Sequence, residues 1–297
     1  MRKLAHILWV ALVLFTFMPA HAQTKKNLTI FAASSLTDAF KEIKTAFESE
    51  NKDVEIVYSF SSSSTLATQL KEGAPVDLFA SANNAQMKVA SDAKRIAGMP
   101  RIFAKNRLVI IVPADNPAKI AGLKDLAKTG LKLVIAAPKI PVRDYTDAML
   151  EKLVKLPDYG ADYKTAFLKN VVSEEDNVRQ VSAKVALGEA DAGIVYRSDM
   201  TPDITNKVQF FDIPDAVNTL ASYPIAVTDN TPNPALAKQF IDYVLSPVGQ
   251  KILVKWNFIS GKCPPVATMN ATVSATMPAT QPATPVATST PTDCDLS

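Results

Sequence analysis

Residues 27–262 read as an α/β fold, and three observations say so. Strand-type and helix-type patterns alternate along the segment. The run LVIIV at 108–112 is continuously apolar, as a strand buried on both faces must be. Two strand patterns run straight into serines that open a helix pattern, the usual grammar of a βα junction.

The elements follow in order. A short apolar strand is expected over 28–33. A helix over 35–47 follows, with Leu36, Phe40, Ile43 and Phe47 at helical spacing. Residues 54–60 read as the second strand. Residues 65–72 read as a helix stopped by Gly73, a C-cap residue. A third strand is expected over 76–81, and the buried strand over 108–112. A strand over 131–136 leads into a helix over 142–154, with Pro141 suited to its first turn. A helix over 178–187 and a strand over 192–196 come next. A strand over 223–227 and a helix over 234–245, ending before Pro247, close the fold.

The two ends stand apart. Arg2 and Lys3, the apolar stretch 7–18 and the small-x-small triplet Ala20-His21-Ala22 have the form of a cleaved signal peptide over 1–22. The apolar stretch is short for a span of about 20 residues. No Cys follows it, so no lipid anchor is expected. Residues 263–297, dominated by Ala, Thr and Pro, read as a disordered tail. The only cysteines, Cys263 and Cys294, lie there; export makes a disulfide between them possible, and it would brace the tail rather than the core.

Composition excludes several functions. The only histidines, His6 and His21, leave with the signal, which removes Ser-His-Asp catalysis and nearly every zinc site. Cleavage lowers the formal charge from +3 to +1, and no basic block stands out, so nucleic acid is not an expected partner. No GxSxG occurs, so a serine hydrolase is disfavoured and no catalytic residues are assigned.

The serine junctions carry the functional signal. Ser34-Ser35 and Ser61-Ser62-Ser63-Ser64 each lie where a strand ends and a helix begins. The first N–H groups of a helix lack intrahelical acceptors and carry the positive end of the dipole. An anion is held there without a cation. The competing reading is plain capping, with Ser35 and Asp38 as a capping box.

Order and spacing sharpen this. FAASSL at 31–36, FSSSSTLATQLKEGAPVDLFASA at 60–82, EEDNVRQVSAKVALGEADAGIVYRSD at 174–199 and YPIAV at 223–227 together resemble the periplasmic molybdate-binding proteins, over about residues 27–260. The resemblance implies a two-lobed type II periplasmic binding protein with the ligand in the cleft. Lobe 1 would be 27–107 and 222–262, and lobe 2 would be 108–221. It implies molybdate or tungstate held by neutral donors, with no cofactor and no side-chain chelation of the metal. It also implies delivery to an ABC transporter permease, with the membrane reached only through that transporter. The protein would be a periplasmic or otherwise extracytoplasmic monomer and not an enzyme. The residues carried over are Ser35 and Ser63 (Ser62 being a near alternative), the backbone N–H groups of Val142 and Val178, and the phenol of Tyr196. Each has a bland counterpart, the valines and Tyr196 as core. Arg143 stands where many relatives have glycine. It could contact the oxyanion, or point to solvent or pair with a neighbour such as Asp144. Two other functions share this architecture: binding of another oxyanion such as sulfate, and anion sensing at a surface with the tail as tether.

Overall fold

The computed structural model describes residues 25–261. The signal-peptide and tail expectations, with Cys263 and Cys294, lie outside them. Strands and helices alternate: β1 (Lys26–Ala33), α1 (Thr37–Glu50), β2 (Val54–Ser61), α2 (Ser63–Lys71), β3 (Leu78–Ala80), α3 (Asn84–Asp92), β4 (Ile96–Asn106), β5 (Leu108–Pro113), β6 (Leu133–Ala136), α4 (Pro141–Leu153), α5 (Tyr163–Lys169), β7 (Val171–Glu175), α6 (Val178–Ala186), β8 (Ala192–Tyr196), α7 (Pro202–Thr205), β9 (Val208–Asp212), β10 (Ala221–Thr228), α8 (Pro234–Val244), α9 (Pro247–Lys255) and β11 (Ile259–Ser260).

Two sheets organise two lobes. The first has the order β11-β4-β10-β3-β1-β2 and the second β7-β6-β8-β5-β9. In the first, β1 runs parallel to β2 and β3, so the C-terminal ends of β1 and β2 share one edge of the lobe, with Ala33 level with Ser61. In the second, β6 is parallel to β7 and β8. The chain crosses from the first sheet to the second between Asn106 and Leu108, and returns between Asp212 and Ala221. Ligands of open α/β sheets bind outside the carboxyl ends of parallel strands. Here those ends face each other between the lobes.

The core follows the apolar periodicity. α1 buries Ala39, Phe40, Ile43 and Phe47 on one face. Phe240 of α8 meets Phe40 and Phe47 edge-on, with centroids 6.2 and 5.4 Å away. Each such ring contributes about 1.5–3 kcal/mol of burial. All six residues of β5 are buried, as its unbroken apolar run requires. Gly193 in β8 brings α6 down onto the sheet: an added Cβ would sit 2.9 Å from Val181 Cγ1 and 3.0 Å from Val134 O.

Three sequence expectations need correction. Ser35 is not the N-cap of α1. Ser34–Leu36 form a 3-10 turn, and Leu36 precedes the helix without a side-chain cap. Ser35 Oγ is hydrogen-bonded to the Tyr223 hydroxyl instead, and Asp38 is held by Arg179, so the capping box does not form. The long strand β4 was invisible because Gly98 and Pro100 break its pattern; pairing with β10, through register shifts, makes it a strand. Pro247 does not merely follow a helix end. It begins α9, behind Ser246, whose hydroxyl accepts the Gly249 N–H. The stop at Gly73 holds: its φ of +100° is left-handed backbone that glycine adopts freely.

Candidate functional site

Four chain segments converge between the lobes. The turn after β1 brings Ser34 and Ser35, and the start of α2 brings Ser62 and Ser63. The start of α4 brings Ile140, Pro141 and Val142, and the start of α6 brings Val178. With Ala33 and Ala82 they line one small cavity. Ser35, Ser63, Val142 and Val178 are thus brought together. Tyr196 is not among the lining residues. It lies behind them, its ring 5.8 Å from that of Tyr223, whose hydroxyl is 3.0 Å from Ser35 Oγ.

Potential donors sit at the helix starts that line the cavity. At α6, Asn177 caps the helix by accepting from Arg179 and Gln180 N–H, which passes over Val178. At α4, Ile140 O accepts from Arg143 and Asp144 N–H, and Pro141 has no N–H at all. Among the described residues neither Val142 nor Val178 N–H has an acceptor. Their side chains pack inward, both under 4% exposed, so core and donor roles coexist in one residue. At α2 the four serines divide the work. Ser62 is the cap, accepting from Thr65 N–H, and it also bonds the Ser64 and Thr65 hydroxyls. Ser63 Oγ accepts the Ala82 N–H at 2.9 Å. With that lone pair occupied, its own proton is available to a neighbour in the cavity.

A family sequence profile described as bacterial extracellular solute-binding protein matches residues 28–259. The chain belongs to that family. The molybdate-binding protein ModA of Mycobacterium tuberculosis is 39% identical over 236 residues, 80% of this chain and 85% of the relative. The solved substrate-binding domain of a putative molybdenum ABC transporter from Clostridium difficile is 29% identical, with a TM-score of 0.60 over 79% of this chain and 98% of that one. The sulfate-binding protein SubI of M. tuberculosis shares the fold alone, at 18% identity and a TM-score of 0.70 over 78% and 86%. The family is one of solute binders, so capture rather than turnover is the chemistry to explain.

In this solute-binding protein no charged side chain is among those lining the cavity. The charges stand one step behind and are already paired. Arg143 neither points to solvent nor pairs with Asp144. Its Nε donates to Asp147 at 2.9 Å, and its Nη1 donates to Glu174 at 2.6 Å and to Ala136 O at 3.2 Å. Burial works against the guanidinium's charge, but Glu174 and Asp147 outweigh it and raise its pKa. Asp144 bonds Asn83 Nδ2 at 3.0 Å; burial, then Asp147, raises its carboxyl above the ordinary value. Arg179 at the start of α6 bonds Asp38 of α1 and lies 3.3 Å from Asp199.

Two of these contacts join the lobes, Asn83 to Asp144 and Arg179 to Asp38, and Gln86 Nε2 adds a third by donating to Lys139 O at 3.1 Å. These contacts hold the two sides of the cleft against each other.

Tyr196 has a distinct status. Its hydroxyl is fully buried and has no hydrogen-bond partner among the described residues. Burial first, then Tyr223 and Tyr145, push the phenol well above its ordinary pKa, so it keeps its proton. Buried phenols nearly always find an acceptor. Lining residues that sequence reading did not single out include Ser34 and Ala82. Ser34 stood in view beside Ser35. Ala82 follows directly on β3, a strand placed by its pairing with β10, which no local signal announces.

Proposed function

We propose that the protein captures molybdate or tungstate outside the cytoplasm and delivers it to the permease of an ABC importer. The observation that carries this reading is a cavity between two lobes, lined by uncharged groups from both. A dianion needs a partner for every oxygen once water is removed. Ser35, Ser63 and Tyr196 would supply hydroxyl donors, and the starts of α4 and α6 backbone N–H at Val142 and Val178. Hydrogen bonds to a charged acceptor are worth about 1.5–3 kcal/mol each. The M. tuberculosis and C. difficile relatives support this choice of anion. In this reading the protein works as a monomer without cofactor or catalytic residues, and the metal is touched only through its oxygens.

Size separates molybdate from sulfate, since charge and shape are shared. A shell fitted to longer metal–oxygen bonds leaves sulfate oxygens short of some donors. The test is thermal unfolding with molybdate, tungstate, sulfate and phosphate. A ligand at about 100 times its Kd stabilises by about 2.7 kcal/mol. Molybdate and tungstate are expected to raise Tm at concentrations where sulfate and phosphate do not. A larger rise with sulfate would overturn the assignment.

Arg143 offers a second check. Its Nε and Nη1 donors are committed to Asp147, Glu174 and Ala136 O. Arg143→Ala is expected to change molybdate affinity by less than tenfold, about 1.4 kcal/mol. It should lower stability by about 1–3 kcal/mol through lost hydrogen bonds and packing. Calorimetry and urea unfolding of the same variant separate the two effects. An affinity loss beyond tenfold with unchanged stability would place the guanidinium on the ligand.

A further inference from the structure

Ser35 can serve an anion only if its hydroxyl proton points into the cavity, and the residues behind it determine that direction. Asn106, at the end of β4 where the chain first leaves lobe 1, accepts the Arg107 N–H through its side-chain oxygen at 2.9 Å. That contact orients the amide. Its NH2 group therefore faces the other way, donating to Ser198 Oγ at 2.8 Å and to the Tyr223 hydroxyl at 3.3 Å. An amide NH2 can only donate. The Tyr223 oxygen is thus an acceptor toward Asn106, and its own proton is left for its other neighbour, Ser35 Oγ, at 3.0 Å. Asn106 and Tyr223 are completely buried and Ser35 is 3% exposed, so water does not compete for these bonds.

We propose that Tyr223 is a positioning residue for the anion site, the middle of a one-way relay from Asn106 through Tyr223 that holds the Ser35 proton in the cavity. The relay rests on the anion-binding reading above. It completes a pattern already present at the second serine, where the Ala82 N–H occupies Ser63 Oγ and leaves that hydroxyl to donate forward. Both serines are polarised from behind by a fixed donor: at Ser63 it is backbone, and at Ser35 it is a side chain that can be replaced. Burial raises the Tyr223 phenol well above its ordinary pKa, so the relay keeps its proton across the working range. Without Tyr223, the Ser35 hydroxyl is free to turn away from the anion, and its hydrogen bond no longer polarises the next.

The experiment is a double-mutant cycle on the full chain, read as molybdate Kd by calorimetry, with Tyr223→Phe, Ser35→Ala and the pair together. Anion is carried to millimolar concentration for the weak variants. Tyr223→Phe keeps the ring that packs against Phe103 and Phe258. It is expected to weaken binding on the order of tenfold in the parent, about 1.4 kcal/mol, and by less than about twofold when Ser35 is already Ala. Asn106→Ala, which removes the donor that directs the relay, is expected to weaken binding in the same direction and to lose its effect in the same background. Equal loss from Tyr223→Phe in both backgrounds would assign the residue to packing and overturn the relay. No loss in the parent would overturn it too. A parent protein that binds none of molybdate, tungstate, sulfate and phosphate would remove the functional reading, and the relay with it. A parent that binds while Tyr223→Phe is silent removes the relay alone.

Discussion

Tyr196→Phe is expected to stabilise the protein on its own and to weaken its hold on the anion. The two effects have one cause. The Tyr196 hydroxyl is enclosed and has no partner among the described residues. A buried polar group left unmatched costs about 1–3 kcal/mol, and phenylalanine keeps the ring while removing that group. The ring contacts to Tyr145 and Tyr223, at 6.3 and 5.8 Å, remain. Unfolding free energy without anion should therefore rise by about 1 kcal/mol or more. If the hydroxyl is a donor to the oxyanion, its removal should weaken molybdate binding roughly 10- to 150-fold, the equivalent of about 1.5–3 kcal/mol. Urea unfolding without ligand, paired with calorimetry, reads both. A variant that gains stability and binds as tightly as the parent would return Tyr196 to the core.

Asp199→Asn should produce the largest change in how stability depends on pH. Asp199 is completely buried. Burial raises its carboxyl from 3.8 to about 6, against the opposing pull of Arg179 and the Tyr196 N–H. Between about pH 4 and 6 the folded protein holds the carboxyl proton while the unfolded chain has released it, so the group favours folding at the acid end. As pH rises through 6, the folded state must ionise it in an apolar setting, and stability falls by an amount on the order of 3 kcal/mol. Asparagine cannot ionise and can still accept the Tyr196 N–H, although it leaves Arg179 with Asp38 alone. The variant is expected to exceed the parent by about 1–2 kcal/mol at pH 7.5 and to match it near pH 4.5. Equal differences at both pH values would show that ionisation of Asp199 is not the cause. Arg179→Met acts oppositely, stranding the buried carboxylate at a cost of about 3 kcal/mol above pH 6.

These two residues differ in how far the sequence announced them. Tyr196 was legible because a tyrosine ends the apolar strand Ala192–Tyr196 within a motif whose order matched a family. Asp199 looked like any acidic residue after a strand. Its burial comes from a 3-10 turn folding its carboxylate under α6, an event between elements that no window of sequence contains. Arg143 was visible as a departure, and its partners were not. Asp147 is one helical turn away and could have been anticipated, whereas Glu174 reaches it from the neighbouring strand β7.

What the sequence determined by itself was periodic or local. The helical spacing of Phe40, Ile43 and Phe47, the unbroken run in β5, the stop at Gly73 and the serines at two strand ends each depend on a few adjacent residues meeting one repeated geometry. Those features sufficed for the α/β class and for the placing of donors at helix starts. Only the tertiary structure decided which donors share a cavity, why Ser62 caps while Ser63 faces inward, and how Asn106, Tyr223 and Ser35 align from segments 106, 223 and 35 along the chain. The physical reason is that a hydrogen bond's direction depends on every partner competing for its atoms. Those partners are brought together by strand pairing across the sheet rather than by proximity along the chain.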